Sequence, residues 1–268
     1  MNNIIKTQNN VNPRSHWPDF DHSMEFSYNY VNKKTHSEDW DVVKNRYNLI
    51  KNSSAQTSKI PKLIHQIWIG KTMPQMEQEL TNQIKDKLDS SWNYKLWTED
   101  SVRDLSFFKH KHLFDFTPNY GQKSDILRYA ILKECGGIYL DTDFLMLGSF
   151  DEFLDLDFFC GISFDSKMEV FNGLMGSSPN NPIIDDLLNF DTPLRYNDGM
   201  SLMDSTGPFF LTRKFLQNIN ACQTAVALPN SFFYPYPNFS YSRPIGTDYK
   251  KYIKPETVCC HMWSSAWM

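Results

Sequence analysis

The sequence predicts an α/β domain built on a mainly parallel sheet, and two observations carry that expectation. From about residue 60 onward, short apolar runs rich in β-branched and aromatic residues alternate with segments of helical period, the order in which strands and crossover helices follow one another in such domains. In addition, a helical stretch after Ser124 runs through Gly136-Gly137 directly into the apolar run Ile138-Tyr139-Leu140. A glycine just past a helix accepts the left-handed backbone that ends it.

The elements follow in chain order. Residues 1–59 read as a polar, aromatic-containing helical extension that packs on the main domain, and residues 60–268 as that domain. Within the extension, Ser37 reads as an N-cap with Glu38 and Asp39 in the first turn. Trp40, Val43, Tyr47 and Ile50 then recur at helical spacing. Asn52 to Lys59 reads as a linker. Leu63 to Ile69 is a buried strand, Met76 to Leu88 a helix, Tyr94 to Trp97 a second strand, and Thr98-Glu99-Asp100 opens another helix. Ser124 is expected to cap a helix whose apolar face is Ile126, Leu127, Ala130 and Ile131. Phe158 to Phe164 and Val170 to Gly176 read as strands. Pro182 to Phe190 and Pro208 to Ile219 read as helices with proline in the first turn.

Composition narrows the function classes. The 268 residues are 41% hydrophobic and 15% aromatic with a net charge of −4, so nucleic acid is a poor partner. Five cysteines without a regular framework argue for free thiols and a reducing compartment. Met1 to Asn10 is polar and does not read as a signal peptide, and no apolar run approaches the ~18 residues of a membrane span. The expectation is a cytoplasmic protein without a transmembrane segment, with which peripheral membrane contact is compatible. A toxin exported without a cleaved signal would have the same composition.

The chemistry gathers at the end of the Ile138–Leu140 strand. Ligands of open parallel sheets bind at the carboxyl ends of the strands, and Asp141 and Asp143 stand there. Two carboxylates two residues apart can converge on a hard divalent cation, Mn²⁺ or Mg²⁺, that keeps positions open for phosphate oxygens. Alone, Asp-x-Asp also describes solvated turn carboxylates. Asp125 and Arg128, at i and i+3 on one face of the preceding helix, are placed near its N-terminus, where backbone N–H groups favour anions. The bland reading of that pair is a surface ion pair.

The segment Ser124-Asp125-Ile126-Leu127-Arg128 followed by Gly136-Gly137-Ile138-Tyr139-Leu140-Asp141-Thr142-Asp143 resembles the DXD-motif sugar transferase family. That family includes capsular and surface-polysaccharide transferases and yeast-type initiating mannosyltransferases. The segment is also similar to the catalytic domain of the large clostridial glucosylating toxins. Supporting stretches are Pro61 to Gly70, Thr206-Gly207-Pro208 and His261-Met262-Trp263. The resemblance implies the GT-A nucleotide-diphospho-sugar transferase fold, a Rossmann-like mixed sheet flanked by helices. It implies retaining transfer of a hexose or N-acetylhexosamine from a UDP-sugar to a glycan or small-molecule acceptor, as in bacterial surface-polysaccharide synthesis. By the same resemblance Trp68 stacks on the base, Tyr139 lies beside the ribose, and Asp125 and Arg128 hold the donor sugar. Asp141 faces ribose and metal, and Asp143 faces the metal. His261 is a further metal ligand or a structural histidine. Trp263 and Ser264 belong to a closing loop, so that Met262 to Met268 forms a lid. Asn172 and Asp198 stand in polar stretches that could line the pocket.

Other readings compete. An effector that glycosylates a host protein is disfavoured because the long helical insertions of the toxins are missing. A phosphohydrolase with a strand-end Asp nucleophile could draw metal carboxylates from Asp185-Asp186, but it leaves Asp125 and Arg128 without a role. A non-catalytic sugar-binding module leaves the paired carboxylates idle.

Overall fold

The computed structural model describes residues 14–25, 37–54, 56–103, 105–106, 108–164, 168–190, 199–236 and 248–264. Asp198 and Trp267 fall outside them. The described elements begin with α1 (Phe20–Glu25), α2 (Ser37–Lys51), β1 (Leu63–Ile67), α3 (Gln75–Lys87) and β2 (Asn93–Trp97). Then come α4 (Glu99–Arg103), α5 (Lys111–Phe116), α6 (Tyr120–Cys135), β3 (Gly137–Leu140), β4 (Phe144–Met146), β5 (Phe158–Phe164) and β6 (Met168–Ser177). The chain continues through α7 (Pro182–Leu187), α8 (Gly199–Ser205), α9 (Pro208–Asn218), β7 (Ala225–Leu228), α10 (Asn230–Phe233) and β8 (Cys259–His261).

Six strands form one sheet in the order β2-β1-β3-β6-β5-β7. β1 pairs parallel with β2 and β3, and β5 pairs parallel with β7. β6 is antiparallel to both β3 and β5. The sheet is therefore mixed but mainly parallel, as the sequence predicts. Apart from the edge strand β2, where only Trp97 is buried, its strands are buried almost end to end. β3 and β7 are buried at every position, which is why they read as continuous apolar runs rather than alternating ones. β4 and β8 form a separate antiparallel pair, with Phe144 opposite His261.

Helix α2 lies along the edge strand β7. Its Arg46 reaches past that edge to the carbonyl of Ile219, just beyond the end of α9, at 2.7 Å. Trp17 and Tyr47 stack on each other at 5.4 Å, and Trp17 meets Phe153 and Phe232. Among the described residues of the first sixty positions, Trp17, Phe20, Trp40 and Tyr47 thus belong to the same apolar core as the sheet. The stretch before β1 has no regular structure, yet it is tied down by the Lys59 and Ile60 amides, which both donate to the Leu154 carbonyl.

Two features depart from expectation, and both shape the site. Helix α6 begins at Tyr120 rather than at Ser124: Asn119 is the cap, its side chain accepting from the Gln122 amide at 3.0 Å. Asn-x-x-Gln is itself a capping signature, and Ser124 lies inside the second turn. Asp125 and Arg128 consequently stand in the body of the helix, away from the free N–H groups of its start. The second departure is in β6, which leaves its partner β5 over Asn172–Leu174. Cys160 pairs with Met175 and Gly161 with Phe171, while Leu174 pairs with Leu140 of β3. Such bulges re-aim side chains, and here one turns Asn172 toward α6.

Candidate active site

Helix α6 ends at Gly136, whose φ of 61° is open to glycine at little cost, and the chain enters β3 at once. β3 ends at Leu140, so Asp141 emerges at the carboxyl edge of the three parallel strands. Its amide donates to the Gly173 carbonyl at 2.8 Å, and its own carbonyl accepts from Gln66 Nε2 at 3.1 Å. Gln66 in turn accepts from the Tyr94 hydroxyl at 2.8 Å. Backbone and side chains of three strands thus fix the direction in which Asp141 leaves the sheet.

The Asp141 carboxylate is held on one oxygen. Oδ1 accepts from the Tyr139 hydroxyl and lies 3.3 Å from Arg128 Nη2. Oδ2 lies over Gly173, where a methyl group in place of hydrogen would sit 2.8 Å from it and 3.2 Å from the Tyr234 hydroxyl. Only glycine leaves that approach open.

Arg128 is the hub. It is 5% exposed, Nη1 donates to the Asn172 carbonyl at 2.7 Å, and Nη2 donates to Ser124 Oγ at 3.1 Å. Nη2 also lies 3.3 Å from Asp125 Oδ1, and the guanidinium sits 4.4 Å above the Tyr139 ring. Asp125 accepts from Asn172 Nδ2 at 2.7 Å and from Thr206 Oγ1 at 2.9 Å. Burial pushes its pKa up to about 6 although Arg128 and these hydrogen bonds pull the other way. Burial likewise raises Asp141, again against Arg128. Removing Arg128 would leave two buried carboxylates without their counter-charge.

Asp143 belongs to the neighbouring strand pair. The register of β4 with β8 sets Phe144 against His261, which brings His261 Nε2 to 3.1 Å from Asp143 Oδ1. Oδ2 accepts from the Ser264 amide at 2.9 Å, and the Asp143 carbonyl accepts from the Met262 amide. Burial alone would raise this carboxyl, but the charge and hydrogen bond of His261 and the Ser264 contacts outweigh it and hold the pKa near 2. Asp141, Asp143 and His261 each present one ligand atom within 4.8 Å of the others. The Nδ1 atom of His261 is buried without a hydrogen-bond partner. Two carboxylates and an imidazole suit a divalent ion such as Mn²⁺.

The remaining candidates flank this cluster. Trp68 follows β1 directly, is half-buried, and donates from Nε1 to the Lys71 carbonyl at 2.6 Å, which fixes the indole at the carboxyl edge. Trp263 adopts a positive φ of 54°, packs 4.2 Å from the His261 ring, and donates to the Tyr236 carbonyl at 2.8 Å. The described part of the tail is therefore docked on the Asp143 side, with the Ser264 amide given to the carboxylate. Asp185 and Asp186, on α7, pair with Lys133 of α6 and Lys214 of α9 and do not join the cluster. Among the described residues no helix is long and apolar enough to cross a membrane.

Asn172 and Thr206 tie the hub together, and Tyr234 adds its ring beside His261 at 5.6 Å. Asn172 is a single polar side chain in the apolar run Val170 to Gly176, and Thr206 stands in one of the resembling motifs. Nothing local to Tyr234 marks it, since its place depends on the return of the chain from β7.

Compared with known proteins, residues 71–160 match the family described as glycosyltransferase sugar-binding region containing DXD motif. That stretch holds Asp125, Arg128, Tyr139, Asp141 and Asp143 and ends well before His261. Over 160 residues the chain is 36% identical to an uncharacterized glycosyltransferase of Acanthamoeba polyphaga mimivirus, covering 55% of this chain and 61% of the relative. It is 29% identical over 165 residues to inositol phosphoceramide mannosyltransferase 3 of Schizosaccharomyces pombe, covering 59% of this chain and 46% of the relative. The chain thus spans about half the length of the curated relatives it matches. Among solved structures, the PaToxG glycosyltransferase superposes with a TM-score of 0.49 at 20% identity, over 69% of this chain and 80% of that one.

Proposed function

Since residues 71–160 carry the DXD-containing sugar-binding region of glycosyltransferases, we propose that the chain transfers a hexose from a nucleoside-diphosphate sugar, a UDP-sugar, to a glycan or small-molecule acceptor. The observation that carries this reading is the convergence of Asp141, Asp143 and His261 within 4.8 Å at the carboxyl edge of the parallel strands. A divalent cation bound there supplies positive charge against a leaving diphosphate.

The chain's own residues do the positioning. Tyr139 and Arg128 hold one oxygen of Asp141, so the carboxylate faces the site in one orientation. Trp68, its indole fixed through Lys71, offers a half-buried face on which a uracil can stack. Trp263 and the Ser264 amide wall the Asp143 side and restrict water there. Asp125 braces Arg128 from behind, and its remaining lone pairs are the ones available to a sugar hydroxyl. The resemblance of the Ser124–Asp143 segment supports transfer with retention and an acceptor of the surface-polysaccharide kind. Five free thiols support action in the cytoplasm. The mannosyltransferase relative adds mannose to the sugars worth testing.

A panel of UDP- and GDP-hexoses with Mn²⁺, scored for slow nucleotide release without acceptor, tests the reading. One UDP-hexose should stand out, and chelation should stop the reaction. Hydrolysis of none of them, or an equal rate in EDTA, would sink it.

A further inference from the structure

Five large apolar side chains are exposed among the described residues, and three of them belong to one rim. Val42 and Leu49 stand seven positions apart on α2, at the far edge of the sheet. Met76, Phe116 and Tyr120 belong to segments that meet at the carboxyl edge of the parallel strands. The loop that leaves β1 begins with Trp68 and runs into the first turn of α3, where Met76 stands. Helix α6 leads into β3 from the opposite direction, so its first residue, Tyr120, returns to the same edge. The Tyr120 ring lies so close to Gly70 that a methyl group there would sit 2.9 Å from it. Phe116 is four residues earlier, at the end of α5, and is 81% exposed.

Charge sets this rim apart as well. Lys71 and Lys109 are exposed, and Lys111 and Lys123 are half-buried, with Lys123 Nζ 4.9 Å from the centre of the Phe114 ring. Among the described residues none of these four pairs with a carboxylate, whereas Lys44, Lys59, Lys62, Lys133 and Lys214 all do. The exposed carboxylates of residues 68–79 and 109–123 are Glu79 and Asp115, since Glu77 is buried. A chain of net charge −4 therefore carries a locally positive, apolar-tipped rim beside the DXD site. Salt confines the influence of more distant acids to about 8–10 Å.

Exposed apolar side chains framed by charge mark an interaction surface, and the extent of this one selects the partner. At roughly 200 Å² per side chain, the exposed parts of Met76, Phe116 and Tyr120 amount to about 300 Å², against about 800 Å² per partner in a stable protein interface. A bilayer asks for less. A few apolar side chains at headgroup depth suffice when lysines stand near anionic lipid, each raising the partition by about fivefold. We propose that this rim docks on a membrane surface containing anionic lipid, with Phe116 and Met76 inserted among the headgroups and the four lysines against the lipid phosphates. Docked in this way, the DXD site at the same edge faces the bilayer. On the transferase reading, its acceptor is then one held at that surface.

Co-sedimentation of the full chain with vesicles tests this, using phosphatidylcholine with about 30% phosphatidylserine at about 0.1 M salt. EDTA in the buffer excludes bridging by a metal. The chain should sediment with these vesicles, several-fold less with phosphatidylcholine alone, and should be released at about 0.5 M salt. Phe116→Ser should bind about fivefold more weakly, and Lys109→Gln combined with Lys111→Gln about twentyfold more weakly. Both variants should melt with the parent, so that loss of binding is not loss of fold. Leu49→Ser, which removes an exposed apolar side chain from the far edge, should bind as the parent does. No binding to the anionic vesicles, binding unchanged in both rim variants, or an equal loss in Leu49→Ser overturns the proposal. So does a dimer of the free chain that dissociates in Phe116→Ser, since the rim then belongs to a second copy. Failure of the transferase reading registers separately, in the donor panel.

Discussion

His65 and His261 are both buried on strands, and their surroundings divide the molecule into two regions of different character. His65 donates from Nε2 to the Gly136 carbonyl at 2.9 Å and accepts at Nδ1 from Trp97 Nε1 at 3.1 Å. Both nitrogens are spent and the ring is neutral; burial holds its pKa down to about 4, although the Gly136 carbonyl pulls the other way. The adjoining Asp125–Arg128 pair is likewise well supplied with partners, and Arg128 holds one oxygen of Asp141. His261 spends Nε2 on Asp143 and leaves Nδ1 without a partner, among two carboxylates and the rings of Phe144, Tyr234 and Trp263. The first region is organised to be finished on folding. The second retains capacity for something that binds. Substitutions in the first should therefore cost stability, and substitutions in the second should cost metal binding and turnover.

The largest expected effect is at Asp143. Asp143→Asn keeps the size of the side chain and removes a ligand charge. Transfer should fall by about a thousandfold, roughly 4 kcal/mol of transition-state stabilisation, while the melting temperature stays within a few degrees. A variant as active as the parent breaks the comparison at its functional end. Arg128→Ala follows, with the opposite signature. It leaves Asp125 and Asp141 buried without their guanidinium and should cost about 3–5 kcal/mol of folding stability, read by urea denaturation. Arg128→Ala at full stability would mean that the hub is a surface pair after all.

His65 gives the third test. Its folded pKa lies below the value of about 6.5 for an exposed histidine, so the unfolded chain binds more protons between pH 6.5 and 4. Its stabilising contribution is complete above pH 6.5 and is lost as the pH falls toward 4. The total is on the order of 3 kcal/mol for roughly 2.5 pH units of displacement. Asp125, displaced upward, contributes with the opposite sign between about pH 4 and 6, so the measurement is the difference between parent and His65→Phe across that range. The parent should lose stability faster than the variant as the solution is acidified. Parallel curves would show that His65 is not the neutral, completed ring that its contacts describe. His261→Ala comes next. It should raise the Mn²⁺ concentration for half-maximal activity about tenfold while changing the melting temperature little.

How much of this is legible in the sequence follows the same division. Strands β1, β2, β3, β5 and β6 and the pair Asp141 and Asp143 are visible because each depends on neighbours within a few residues: apolar runs, two glycines, a two-residue spacing. The register of α6 is misplaced because Ser124 looks like a cap while Gly121 disguises Asn119-x-x-Gln122. β4 and β8 escape notice because three-residue strands are too short to show a period, and Cys259-Cys260-His261 draws attention as chemistry before it does as a strand. The β7 run Ala225–Leu228 is apolar, but its alanines suit a helix as well. The bulge at Asn172–Leu174 depends on a register difference between two partners of β6, which no local pattern encodes. His261 is therefore reachable from sequence only through the resemblance, and its pairing with Asp143 through the structure alone.

The smallest effect discriminates between a docked tail and a closing one. Trp263 holds a positive φ of 54°, a conformation that costs a non-glycine residue of order 1 kcal/mol and persists only where its contacts over-determine it. Those contacts are the edge-on packing against His261 at 4.2 Å, Phe171 at 5.9 Å, and the Nε1 hydrogen bond to the Tyr236 carbonyl. All of them belong to the protein, so the indole is held without a donor in place. Trp263→Phe preserves a ring and deletes the hydrogen bond, which should cost about 1 kcal/mol, or about 2–4 °C in melting temperature for a chain of this size. A tail already docked loses that amount in the free protein, and UDP with Mn²⁺ leaves the difference between parent and variant unchanged. A lid that closes only over donor shows no difference without ligand and acquires one when UDP and Mn²⁺ are added. The second result would move Trp263 from the wall of the site to its door, and would make closure, rather than a preformed site, the step that excludes water.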